Sequence, residues 1–94
     1  MTKNSDINES NELIAQYIAR EELKAQVELG LTSVTDAEHK IQLTETLTNI
    51  SIQLDELMQN ESVAQFVVSQ SELSEALRTE RIESIKSLVP IYFH

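Results

Sequence analysis

The sequence predicts an all-α protein, and three observations carry that reading. One glycine and one proline in 94 residues leave few of the residues that turns between strands favour. In "LTETLTNISIQLDELM", residues 43–58, Leu43, Leu47, Ile50, Leu54 and Leu57 step by four, three, four and three, the seam of a helix. Polar capping residues stand between the periodic segments, at Thr35 and Asn60. The expected architecture is a three-helix antiparallel bundle or hairpin over about 9–29, 36–59 and 61–88, assembled as a homodimer.

Residues 1–8 are polar and aperiodic apart from Ile7, the composition of a disordered tail ahead of a single helical domain over 9–94. The first helix is expected to stop at Leu29, with Gly30 as its left-handed cap. Thr35-Asp36-Ala37-Glu38 matches a capping box, which starts the second helix at about residue 36. Asn60 caps a third helix. A second box, Ser69 with Glu72, permits a break there. The shared helical phase of Val63, Phe66, Val67, Leu73, Leu77, Ile85 and Leu88 favours one continuous helix to Leu88 instead. Pro90 ends it, and a short apolar tail follows over 90–94.

Two helices carry apolar residues on both sides. On the first, Ile14, Ile18, Ala25 and Leu29 form one stripe and Leu13, Tyr17, Leu23 and Val27 another. On the second, Ile41, Glu45, Thr48 and Ile52 step by four, three and four opposite the leucine seam. A small bundle leaves each helix one wet side, and every large apolar side chain left exposed forgoes about 1.5–3 kcal/mol. Self-association resolves the excess, with one face packed within the chain and the other on a second copy. Leu13, Tyr17, Leu23 and Val27, then Ile41 and Ile52, are the candidate interface residues. Tyr92 and Phe93 join them, because adjacent aromatics near a chain end serve as anchors, either on the chain's own bundle or in a partner.

Composition narrows the function classes. Sixteen acidic residues against seven basic ones give a net charge of −9, which repels phosphate backbones and anionic lipid, so no direct nucleic-acid or membrane binding is expected. A nucleic-acid mimic needs carboxylates in rows, whereas these are spread from Asp6 to Glu83. Cysteine is absent, which excludes thiolate metal sites and cysteine nucleophiles and suits a reducing, cytoplasmic setting. No apolar run reaches the length of a membrane span.

Catalytic candidates are few. Gln70, Arg81, Ser74 and Ser84 interrupt the third helix's apolar stripe, and Arg81 is positioned to pair with Glu38, Glu45 or another carboxylate. An always-charged arginine does no acid–base chemistry. Asp36 and His39 share a helical side, but two ligands are too few to hold a metal, and His94 ends the sequence. The serines have no histidine at a recognisable spacing, and one glycine makes no phosphate loop. The expectation is a protein that is not an enzyme and needs no cofactor.

Residues 54–85, "LDELMQNESVAQFVVSQSELSEALRTERIESI", resemble the C-terminal helical hairpin of the YlbF/YmcA family. That pattern is a leucine-rich helix, a short Asn/Pro-type junction, then V-x-x-[FY]-x-x-x-[QE]-x-x-L-x-x-x-[LI]. Asn60, Val63, Phe66, Gln70, Leu73 and Leu77 occupy its positions. The resemblance implies a helical, self-associating accessory protein, of the kind that supports RNA-processing complexes in Gram-positive bacteria. The cysteine-bound iron–sulfur clusters of some members do not carry over. From the residues themselves, the expected function is an interaction module: an adaptor, assembly chaperone, inhibitor or immunity-type protein. It would use apolar helix faces and an acidic rim to meet a second copy or a partner with a basic or apolar surface. An accessory regulator of an RNA-processing complex is the alternative, and an enzyme with a carboxylate/Arg81 site comes last.

Overall fold

A computed structural model describes the backbone of residues 2–93 and the side chains of residues 9–93. The described residues are helical, without strands: α1 (Thr2–Ser33), α2 (Ala37–Met58), α3 (Glu61–Ser71), α4 (Glu75–Leu88) and a closing 3-10 turn (Pro90–Tyr92). His94 lies outside them. The all-α expectation holds, but the path differs from three helices in three places.

First, α1 is longer at both ends than the expected 9–29. Its helical backbone begins at Thr2, within the stretch read as a tail; no glycine or proline interrupts residues 2–8. At the other end it runs through Gly30, which has no positive φ, and closes at Ser33. Val34 donates its amide to the Gly30 carbonyl at 3.1 Å, so the last turn is completed. Thr32 and Ser33 hydroxyls donate to the Leu29 carbonyl at 2.6 and 3.3 Å, bonding a group near the helix end.

Second, the N-cap of α2 is Asp36, with no side-chain cap bond; the Thr35–Glu38 box does not form. The α3 cap is as read: Asn60 accepts from the Ser62 and Val63 amides at 2.9 and 3.3 Å.

Third, the third helix breaks. α3 ends at Ser71 and α4 restarts under Ser74, whose hydroxyl accepts from the Leu77 amide at 3.4 Å. The common phase is reset there. Val63, Phe66 and Ile85 are buried while Leu77 and Leu88 are exposed. One straight helix over residues 61–88 would be about 42 Å long and would carry Ile85 away from the core. The break folds α4 over α1 instead, where Ile85 packs with Ile14, Ala15, Ile18, Val63 and Phe66.

α1 is the spine. α2 runs antiparallel along it: Gly30 lies beside Leu43, and Arg20 Nε donates to Gln53 Oε1 at 2.9 Å. α3 starts against the N-terminal half of α1, where the Ser10 and Ser62 hydroxyls share a hydrogen bond of 2.9 Å. α4 crosses near Glu22, which meets Lys86 Nζ at 2.6 Å. The 3-10 turn then brings Tyr92 back to α1.

The core consequently has two parts. The main cluster is closed by α1, α3, α4 and the tail, with Leu57 and Met58 from α2. The smaller one, Val27, Ile50 and Leu54 flanked by Tyr17, Leu43 and Leu47, is made by α1 and α2 alone. Beyond about Glu22 these two helices form a projecting arm. The radius of gyration, 15.2 Å, exceeds the roughly 12 Å usual for a compact chain of this length.

Candidate functional site

The leucine seam of α2 does what its spacing implies. Ile50 and Leu54 are buried and Leu43, Leu47 and Leu57 half-buried, all turned toward α1. The apolar residues on the other sides of the two helices sort into three groups.

Some are covered by the chain itself. Val27, proposed as an interface residue, is buried against Ile50 and Leu54 and so leaves the set open to a partner. Leu13 and Tyr17 are half-buried in the main cluster. Tyr17 also reaches the smaller cluster, joining the two. Its pKa is raised, first by burial, then by the neighbouring Glu21 carboxylate and by Asp55. Two-sidedness in the first half of α1 thus has an internal cause: α2 covers one side and α3 with α4 the other.

The tail aromatics are covered too. Tyr92 and Phe93 are half-buried against the main cluster. The Tyr92 hydroxyl donates to Glu12 Oε1 and accepts from Gln16 Nε2, both at 3.1 Å. Lys86 sits over the Phe93 ring, 5.2 Å from its centroid. The same ammonium holds the Glu22 carboxylate, and that hydrogen bond raises the Lys86 pKa. Of the two dockings open to these aromatics, the structure has the one on the chain's own bundle.

The remaining residues face outward. Leu23 is 46% exposed, Leu29 70%, Ile41 59% and Ile52 52%. Leu29 continues the stripe of Ile14 and Ile18, whose earlier members are buried under α3 and α4; the stripe outruns its cover. The spacing of that stripe implies this exposure, although Leu29 is not one of the candidate interface residues. Ile41 and Ile52 lie on α2 about 170° around from the leucine seam, facing away from α1. Leu77 and Leu88 belong to the stripe that the break between α3 and α4 resets, and Val68 and Ile91 are further exposed apolar residues outside any stripe.

The polar candidates form structural contacts. Arg81 donates to the Ser69 hydroxyl and lies 4.9 Å from the Phe66 ring centroid, tying α4 to α3. It makes no ion pair with Glu38 or Glu45, which sit on α2 at the far end of the arm. Ser74 is a helix cap and Ser84 is exposed. Asp36 and His39 approach to 3.2 Å at an exposed turn, with no cluster of three metal-ligating side chains among the described residues. Gln70 donates weakly to the Arg78 carbonyl at 3.4 Å while its Oε1 is buried without a partner. It lines a cavity of about 200 Å³ with Tyr17, Ile18, Phe66, Val67 and Ile82, and Glu21 and Glu22 also border it. That cavity is mostly apolar and contains neither a histidine nor a serine. No described helix is long and apolar enough to cross a membrane.

The chain matches no protein-family model, no curated protein and no solved structure.

Proposed function

We propose that the chain is a non-enzymatic protein–protein interaction module, working as a homodimer through the arm formed by α1 and α2. The observation that carries this is the set of large side chains, Leu23, Leu29, Ile41 and Ile52, left in water on an arm with little core of its own. At 46–70% exposure each forgoes roughly 0.7–2 kcal/mol, which a small domain gains by finding a partner.

Area argues the same way. A folded monomer of 10.7 kDa exposes about 5,500 Å², whereas this chain exposes 6695 Å², an excess of about 1,200 Å². A standard interface buries about 800 Å² on each partner, so the surplus is of the size one contact removes. The acidic surface around the arm would speed encounter with a basic partner while disfavouring phosphate-bearing ones.

Light scattering or sedimentation at micromolar concentration tests the reading. A mass of twice 10.7 kDa is expected, falling when Ile41 or Ile52 is replaced by a charged residue. A wild-type mass of 10.7 kDa across that range would remove self-association from the proposal.

A further inference from the structure

The outer face of α2 carries a pattern that reads the same in both directions. Ile41 and Ile52 share a midpoint with Glu45 and Thr48, at the level of Thr46 and Leu47. We infer that the partner of this face is the same face of a second copy, packed antiparallel about a two-fold axis at that midpoint. This rests on the interaction reading above and names its occupant. A two-fold contact pairs residue i with j and j with i. Here it places Ile41 on the partner's Ile52, and Glu45 on the partner's Thr48, in both directions at once.

Three properties of the face fit that occupant. The steps of four, three and four place these residues at alternating core positions of a helix pair, and in an antiparallel pair the two kinds of position meet each other. The stripe faces away from α1, and Ile41, Glu45, Thr48 and Ile52 are all exposed, so no element of the chain competes for it. Charge is the third. A chain of net charge −9 resists its own copy over most of its surface, yet Gln42, Thr44, Asn49 and Ser51 flank the stripe and Glu45 is its single charge. Glu45 faces a threonine across the axis, with its own copy one layer away. Glu38 and Asp55, beyond the isoleucines, bring like charges together at the two ends and hold the contact to the central turns.

The register makes the test specific, and the absence of native cysteine makes it clean. In the full chain, Glu45→Cys lies three residues from its own copy along the axis, about 4.5 Å, whereas Ile41→Cys lies about 16.5 Å from its own copy. A short bis-maleimide should therefore link Glu45→Cys into covalent dimers and leave Ile41→Cys unlinked. The double variant Ile41→Cys with Ile52→Cys should link again. Ile52→Glu should raise the dimer dissociation constant at least about tenfold, because the symmetric contact meets the change twice. Both isoleucines are exposed, so helicity by circular dichroism should stay at the wild-type value and separate lost contact from lost fold. A dimer by light scattering that links through Leu29→Cys but not Glu45→Cys overturns the α2 register while leaving self-association standing. A chain that is monomeric throughout, or that pairs only with a foreign protein, overturns both.

Discussion

Gly30→Ala separates two descriptions of the end of α1. If the helix stopped at Gly30 with that residue left-handed, a Cβ there would be strained, and alanine would destabilise by about 1–2 kcal/mol. The structure instead carries the helix to Ser33 with no positive φ at Gly30. A Cβ built on the residue meets Leu43 Cδ1 at 3.8 Å as its nearest neighbour, an ordinary van der Waals contact. Alanine then gains its helical advantage, about 0.8–1.0 kcal/mol in a helix interior, through the restricted unfolded chain and without new strain. Residue 30 is in the last turn, where fraying reduces the gain, so about 0.5–1 kcal/mol of stabilisation is expected. In urea, with a slope near 1 kcal/mol per molar for a chain of this size, the midpoint should rise by about 0.5–1 M at unchanged slope. Wild type and variant are compared at one protein concentration, because an associating chain's midpoint depends on it. A midpoint that falls by 1 M would refute a helix running through Gly30, and with it the geometry of the arm's tip.

Three further outcomes follow from named contacts. Asn60→Ala removes the acceptor of the Ser62 and Val63 amides and should cost about 0.5–2 kcal/mol in thermal or urea unfolding, with Asn60→Ser restoring most of it. Tyr92→Phe unlinks the tail from Glu12 and Gln16 and should cost about 0.5–1.5 kcal/mol, and deleting 90–94 should cost more. If instead that deletion leaves the melting temperature unchanged, the docked tail contributes nothing to the fold. Tyr17 and Lys86 both have raised pKa values, so folding favours their protonated forms. Their stabilisation is complete below the ordinary tyrosine and lysine ranges, both above pH 9, and is lost as pH climbs through the raised values. Melting temperature should fall more steeply above about pH 10 in wild type than in a Tyr17→Phe, Lys86→Met double variant; equal slopes would contradict the assignment.

Legibility in the sequence tracked how local each signal was. The α2 seam and the Asn60 cap were readable because spacing and capping act within one or two turns, and both are in place. The break at Glu72–Ser74 was visible as a possibility but outweighed by shared phase. What decided it was the long-range gain of folding Ile85 onto Ile14 and Ile18, which no local pattern records. Gly30 misleads for the same reason: its left-handed freedom permits a stop but does not compel one, and the helix continues to Ser33 with the Gly30 carbonyl bonded by the Val34 amide.

The two-faced helices show why a periodic pattern alone under-determines a site. Apolar residues on both sides of α1 have two meanings along one helix. Around Ile14, Tyr17 and Ile18, three neighbouring helices surround the spine and the second face is simply more core. Beyond Glu22 the cover thins: Leu23 borders a groove with Lys86, Tyr92 and Phe93 but stays 46% exposed, and Leu29 is 70% exposed. Length makes the difference. α3 spans eleven residues, about 16 Å, against the roughly 48 Å of the 32-residue α1. Its cover ends midway along the spine. An arm of two helices with three buried side chains has little stability to lose and a whole second side to offer. That mismatch of helix lengths, more than any single residue, makes contact with another chain the economical use of this fold.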